Sequence, residues 1–338
     1  MPNIIGPFAQ LIRSAGRPQL KKPKEEQKPT RPRLPRDEHG NRITLKEQKE
    51  RERKLSESTS PITVPKMTRG DRMIAFCETL KIPDGPDVGK PVVLRQWQKD
   101  IIKGIYDQVS PEGYLMIREA VLTMGRKNAK TTLAAMLCLG HLIGPEAVRN
   151  GQIYSAGFDT NQAMLVFDTM INIIDQDPEL ILYTRRNRTL KMIRCVLFNT
   201  RYKALSSEAR SKHGFNPVFV ILDELAQFEA NTDLYDALKT SMGAQKEALM
   251  LIISTQAGND TAILSQLIDY GRSIQEGIIH DDTFALFEFS VPNDADIFDP
   301  AVWALANPAL GDFRSLEELT KFAERARHSP SAERTLRQ

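Results

Sequence analysis

Two short stretches contain the residue types that phosphate chemistry needs. The first is Val121-Leu122-Thr123-Met124-Gly125-Arg126-Lys127-Asn128-Ala129-Lys130-Thr131-Thr132, an apolar run that breaks into a polar turn and then opens an amphipathic segment over Leu133–Leu142. Strand, tight turn and helix in that order make an anion cradle. Backbone N–H groups and the positive end of the following helix face the phosphates. Lys130 is expected to reach the β and γ phosphates and the Thr131 hydroxyl to ligate Mg²⁺. Gly125 to Thr132 together form the candidate nucleotide-binding set: Gly125, Arg126, Lys127, Asn128, Ala129, Lys130, Thr131 and Thr132. Aligned on Lys130, the pattern G-x-x-x-x-G-K-[ST] finds Met124 and Ala129 at its two glycine positions. Gly125 is expected to supply the sharp turn one residue late, with Ala129 as the smallest replacement for the second glycine. Taken alone, the stretch also fits a basic surface turn ahead of an ordinary helix.

The second stretch is Pro217-Val218-Phe219-Val220-Ile221-Leu222-Asp223-Glu224. A continuous apolar run ending in two carboxylates fits a strand buried on both faces of a parallel sheet. Its C-terminal end is where open α/β sheets place ligand chemistry. Asp223 is expected to hold Mg²⁺, and Glu224 to orient and deprotonate an attacking water. A core strand ending in a solvated acidic turn is the bland alternative. A Lys-Thr loop about 90 residues upstream favours ATP hydrolysis over it.

The intervening pattern supplies the elements that must position these groups. Helices are predicted over Asp71–Leu80, from Leu94 to about Tyr106, over Asn161–Ile174 and over Thr261–Gln275. Strands are predicted over Glu119–Thr123, Gly151–Ala156, Ala248–Ser254 and Thr283–Ser290. Lys191–Phe198 and Tyr202–Leu205 fit a hairpin through Asn199-Thr200. Alternating strands and helices imply an α/β fold: a P-loop NTPase with a mainly parallel central sheet flanked by helices. In many helicase-like ATPases a Gln just ahead of the first sheet strand reads the adenine edge, and Gln98, about 30 residues before Lys130, is placed for that role, with Trp97 as a core anchor. The Ser254-Thr255-Gln256 turn ends a core strand; in P-loop ATPases of this class a polar residue there senses the γ-phosphate, so these residues are expected to couple hydrolysis to movement, with a plain strand-to-helix turn and N-cap as the simpler role. His213 has no metal-like partner spacing and is taken as a loop residue.

Charge is unevenly spread. Residues 1–60 carry 15 Lys/Arg and 8 Asp/Glu, a net of +7, whereas the remainder carries 31 and 35, a net of −4. Residues 1–66, with five prolines between Pro18 and Pro35 and few apolar side chains, fit a largely disordered basic arm that is either a DNA or partner contact or a solvated tail. Cys77, Cys138 and Cys195 are too scattered for a disulfide framework or zinc site and fit free thiols of a reducing cytosol. No apolar run approaches the length of a membrane span, and no secretory signal is apparent.

These pieces resemble the ATPase module of the large terminase subunits of tailed bacteriophages. The likeness is carried by Leu94-Arg95-Gln96-Trp97-Gln98, the glycine-poor loop Gly125–Thr132, His213-Gly214-Phe215-Asn216-Pro217 leading to Leu222-Asp223-Glu224, Ser254-Thr255-Gln256, and Trp303-Ala304-Leu305-Ala306-Asn307-Pro308. It covers about residues 70–310. The resemblance implies an additional-strand, catalytic-Glu ATPase that couples hydrolysis of Mg²⁺-ATP to translocation of double-stranded viral DNA into a procapsid. It would work as a self-associated ring on the portal protein, fed by a small terminase subunit, in the cytoplasm of the infected bacterial host. It also implies that Arg126 touches the γ-phosphate and that an arginine of a neighbouring subunit completes the site, with Arg210 as the candidate. The ATPase domain is expected over 67–312 and a helical lid or linker over 313–338, with Leu316–Arg337 helical. No acidic two-metal constellation is visible, so nuclease activity is not expected of this chain. Two rivals remain at this point: a helicase-like nucleic-acid translocase, and a non-hydrolysing nucleotide-fold scaffold.

Overall fold

The computed structural model describes residues 67–206, 214–228, 233–256, 262–292 and 294–337. Among these residues the strands are β1 (Glu119–Thr123), β2 (Gln152–Gly157), β3 (Thr184–Asn187), β4 (Met192–Cys195), β5 (Arg201–Ser206), β6 (Pro217–Asp223), β7 (Leu249–Ser254) and β8 (Phe284–Glu288). They join in one sheet in the order β3-β4-β5-β2-β6-β7-β1-β8. Pairing is parallel from β5 to β8 and antiparallel between β3, β4 and β5.

The three strands that carry the site chemistry, β1, β6 and β7, are buried along their whole length. That is why each is an unbroken apolar run until its last residues. Alternate residues feed two cores. Ala120, Leu122, Ile221 and Leu251 join one core with α1 (Arg69–Thr79), α2 (Gln96–Tyr106), α3 (Lys130–Leu142) and α4 (Thr160–Asp175). Val121, Val220, Leu222 and Ile252 join the other with α6 (Asp233–Ser241) and α7 (Ile263–Gln275). Between α4 and β3 lies the short α5 (Pro178–Tyr183).

The helix after the loop differs from expectation. Every residue from Leu133 to Leu142 is buried, so α3 is not amphipathic. It lies between the sheet and α1 and α4, leaving it no solvent face. His141 within it stacks on Phe219, with ring centroids 4.0 Å apart, and its Nε2 bonds the Tyr106 hydroxyl at 2.9 Å. The predicted hairpin is present as β4 and β5, with β3 added outside it. The C-terminal region divides into α8 (Pro300–Ala306), α9 (Leu316–Ala326) and α10 (Pro330–Leu336). The helical region expected over Leu316–Arg337 is made of α9 and α10, and the Ser329 side chain caps α10 with Pro330 in its first turn. Trp303, Leu319 and Ala323 bury a small core of their own. The three cysteines are free and buried. Among the described residues no helix is long and apolar enough to cross a membrane.

Candidate nucleotide site

The loop between β1 and α3 takes its turn from residues other than the one expected. Lys127 and Ala129 adopt left-handed φ values of 65° and 56°, while Gly125 is not among the positive-φ residues. A left-handed alanine is strained by about 1–2 kcal/mol, which a glycine would escape. Gly125 is required for a different reason. A Cβ there would collide with Asn307 Oδ1 and lie 3.2 Å from the Ala306 carbonyl oxygen. Its own N–H donates to that carbonyl at 2.9 Å. The glycine therefore admits the C-terminal segment and does not bend the loop.

Asn128 belongs to the same junction. It is 1% exposed, and its Nδ2 donates to the Gly125 carbonyl at 2.9 Å and to Asn307 Oδ1 at 3.0 Å. Its Oδ1 accepts from the Ala309 N–H at 3.1 Å. The side chain, expected among the nucleotide ligands, is thus committed to protein, and only its backbone is left for phosphate. Arg314 closes the junction by donating to Asn307 Oδ1 and the Arg126 carbonyl, and Lys127 pairs with Glu318 at the start of α9. A cavity of about 270 Å³ adjoins the loop, walled by Met124, Gly125, Arg126, Phe289, Trp303 and Leu336.

Lys130 opens α3 and is buried. Its Nζ donates to the carbonyls of Met124 at 2.8 Å and Gly125 at 3.1 Å. Burial lowers its pKa to about 8, against the opposing pull of Glu224 and Asp223. Asp223, the last residue of β6, is pushed up to about 7, first by burial and then by the adjacent Glu224 charge, with Lys130 working the other way. Among the described residues its Oδ2 has no hydrogen-bond partner although it is buried. An orphaned, buried carboxylate oxygen beside a lysine is a costly arrangement unless a cation completes it. The hydroxyl of Thr123, the last residue of β1, is buried and unpartnered in the same way. Both residues flank β7, Thr123 level with Ser254 and Asp223 level with Ile253. The only mark of Thr123 in the sequence is that an apolar strand ends on a hydroxyl. Thr131 and Thr132 sit half-buried in the first turn of α3. The Asp223 carboxylate and the threonine hydroxyls are hard oxygen donors of the kind Mg²⁺ takes, while the N–H groups at the start of α3 suit phosphate.

Glu224 stands just past the strand with φ 55°, a left-handed glutamate. Its N–H donates to the Ile253 carbonyl at 2.8 Å. Its Oε2 accepts from the Thr255 hydroxyl at 3.1 Å, from the Thr255 N–H at 3.3 Å and from the Ser254 hydroxyl at 3.4 Å. The expected acidic pair and coupling turn are therefore in direct contact. Gln256 diverges: its Nε2 donates to Glu288 Oε1 at 3.0 Å, and Arg272 holds Glu288 through bonds of 2.6 and 2.9 Å. Arg126 is exposed on the loop. Gln98 is 5% exposed and its Oε1 accepts the Arg95 N–H at 2.9 Å, which gives it a capping role at the start of α2. Arg210 and His213 lie outside the described residues.

The family model for the terminase large subunit, ATPase domain, matches residues 96–273, more than half of the chain. The large terminase subunit of Enterobacteria phage HK97 is 40% identical over 276 residues, covering 80% of this chain and 52% of that protein. The crystal structure of the HK97 large terminase superposes with a TM-score of 0.72 at 39% identity, over 80% of this chain and 54% of that one. The ATPase domain of the Thermus phage P74-26 large terminase, at 19% identity and TM-score 0.50 over 71% of this chain and 90% of that one, shares the fold. The chain spans about half the length of the HK97 relative. A buried phosphate-loop lysine, an acidic strand end and a family match running from Gln96 through Asp223 and Ser254 agree, and the chain belongs to the terminase large-subunit ATPase-domain family.

Proposed function

We propose that this chain hydrolyses Mg²⁺-ATP as the motor module of a phage packaging machine, driving double-stranded viral DNA into a procapsid. The observation that carries this reading is Asp223: a buried carboxylate with an unpartnered oxygen, set beside a buried lysine that is spending its donors on loop carbonyls. Both groups await charges that a metal-bound triphosphate would bring. Lys130 would exchange the Met124 and Gly125 carbonyls for the β and γ phosphates. The Thr131 hydroxyl and Asp223 would hold Mg²⁺, which neutralises phosphate charge when bound. Arg126, exposed on the loop, would contact the γ-phosphate, and Gln98 the adenine.

Hydrolysis forms a bond from water oxygen to the γ-phosphorus and breaks that phosphorus's bond to the β–γ bridging oxygen. ADP and inorganic phosphate leave, and Glu224 takes the water's proton. The hydrogen bonds from Thr255 and Ser254 hold the same carboxylate in the present conformation, so these residues would gate when Glu224 meets water. Arg210 is our candidate for the arginine that one subunit lends to the next. We assign residues 67–312 to the ATPase domain and 313–338 to a lid whose Arg314 and Glu318 touch the loop. As partners we propose the portal protein, a small terminase subunit and further copies in a ring, in the cytoplasm of the infected bacterial host.

The test is steady-state hydrolysis together with equilibrium binding of ATP for wild type, Glu224→Gln and Lys130→Ala, across a protein concentration series. Wild type should hydrolyse. Glu224→Gln should bind ATP with hydrolysis reduced by at least about 100-fold, and Lys130→Ala should lose binding. A Glu224→Gln protein as active as wild type would refute the assigned chemistry.

A further inference from the structure

The stretch from Ile181 to Lys203 carries seven cations and no carboxylate: Arg185, Arg186, Arg188, Lys191, Arg194, Arg201 and Lys203. The chain beyond residue 60 is otherwise net acidic. Strand register divides these cations by face. Arg185 of β3 is level with Arg194 of β4, which is level with Arg201 of β5, so three arginines stand in one row across the antiparallel edge of the sheet. All three are exposed. Lys203 of β5 lies two residues along on the same face.

The opposite face of these strands carries Ile193, Cys195 and Tyr202, all buried, with Tyr202 stacked on Phe167 of α4. Cations at that side are neutralised: Arg186 pairs with Asp175, and Arg188 with Asp168 and Asp175. The exposed row has neutral partners instead. Arg185 donates to the carbonyls of Leu182 and Thr184, and Arg194 to Asn199 Oδ1 at 2.9 Å. Among the described residues no ion pair reaches Arg185, Arg194 or Arg201.

Like charges directly opposite across a sheet destabilise it. A local rule broken without compensation inside the fold marks a surface completed from outside. Three guanidinium groups on strands about 4.8 Å apart make a band about 10 Å wide, suited to a polyanion with closely spaced charge. A duplex phosphate backbone has that density, about one charge per 1.7 Å of axis. Arg201 is level with Gln152 and Gln152 with Pro217, the first residue of β6, so the row crosses the sheet at the end opposite Asp223.

We propose that the Arg185–Arg194–Arg201 row, with Lys203, is a track for the sugar-phosphate backbone of duplex DNA. This rests on the translocase reading above and names the surface that holds its substrate. The experiment is binding of a fluorescein-labelled duplex of arbitrary sequence to the full chain, followed by anisotropy between 50 and 200 mM salt without nucleotide. The proteins compared are wild type, the Arg185→Ala/Arg194→Ala/Arg201→Ala triple variant, and an Arg186→Ala/Arg188→Ala control. Residues 1–60 contribute equally to each and cancel in the comparison.

The triple variant should bind roughly 10- to 100-fold more weakly at 50 mM salt, with the slope of log K against log salt shallower by about 2–3, while the control keeps the wild-type slope. ATP binding, measured in parallel, should be the same in all three. An unchanged affinity and slope in the triple variant would overturn the proposal, as would a wild type that fails to bind duplex at all. It would equally be overturned if the substitutions abolish self-association and leave DNA binding intact, since the row would then meet an acidic face of a second copy. Loss of ATP binding in wild type alongside normal duplex binding would instead count against the ATPase chemistry and leave this surface standing.

Discussion

At Asp223 and Lys130 burial pushes two opposite charges toward neutrality at once, the carboxyl up to about 7 and the ammonium down to about 8. For Asp223 the folded value lies above the ordinary 3.8, so its contribution to stability is full below 3.8 and is lost as pH rises through 7. For Lys130 the folded value lies below 10.5, so its burden on the fold is full below about 8 and fades as pH rises toward 10.5. Both groups therefore oppose folding between pH 7 and 8, where the motor reading needs them charged. Two results follow. Asp223→Asn should raise stability to urea at pH 7.5 by on the order of 2 kcal/mol while removing Mg²⁺-dependent hydrolysis, a trade of stability against function. In wild type, Mg²⁺-ATP must displace a proton from Asp223 below pH 7. Its affinity should then rise between pH 6 and 7.5, and calorimetry in buffers of different ionisation enthalpy should detect proton release. A flat affinity profile with no proton release would show that this carboxyl is not where the cation binds.

Among the elements, the loop is shaped as much by α8 and the turn after it as by its own residues. Asn307 Oδ1 takes the Asn128 amide, and its Nδ2 donates to the Trp303 carbonyl at 2.9 Å. Removing that side chain deletes the oxygen shared by the Asn128 amide and the Arg314 guanidinium, a loss of about 1–3 kcal/mol. Asn307→Ala should therefore weaken ATP binding by roughly tenfold, whereas Ala129→Gly, which relieves a left-handed alanine, should raise the melting temperature by a few degrees. Equal ATP affinity in Asn307→Ala and wild type would show that the clasp does not set the loop. This junction explains what the sequence left hidden. The acidic strand end and the Ser254-Thr255-Gln256 turn stood out because each ends an apolar run with residues of distinct chemistry, and Lys130 because it joins a polar turn to a following apolar segment. The role of Gly125 was not, because its type suggested a turn while its neighbour, Asn307, lies 182 positions away. Edge strand β3, with three of its four residues exposed, showed no alternating apolar signal. The nine-residue α6 and seven-residue α8 are too short for periodicity to declare them.

Across the whole molecule, the chemistry and the anchoring charges occupy opposite ends of the sheet. Glu247 precedes β7, whose far end carries Ser254 and Thr255. At the near end Arg69 of α1 donates to both oxygens of Glu146, just past α3, and to Glu247 at 2.6 Å, while Glu247 also accepts the Leu115 N–H at 2.7 Å. One guanidinium thus ties the first helix, the central helix and the start of a core strand together. Glu146 is 2% exposed, so deleting its partner leaves an uncompensated buried charge. Arg69→Ala should lower the urea unfolding free energy by about 3–5 kcal/mol, and adding Glu146→Gln should return part of it by removing the stranded carboxylate. A loss below about 1 kcal/mol for the single substitution would show that water already solvates Glu146. Because no strand end of the nucleotide site lies near this triad, the ATP affinity of the folded fraction should stay at the wild-type value. A coupled fall in affinity would mean that strain at one end of the sheet reaches Asp223 through β7, and the two ends would then have to be treated as one mechanical unit.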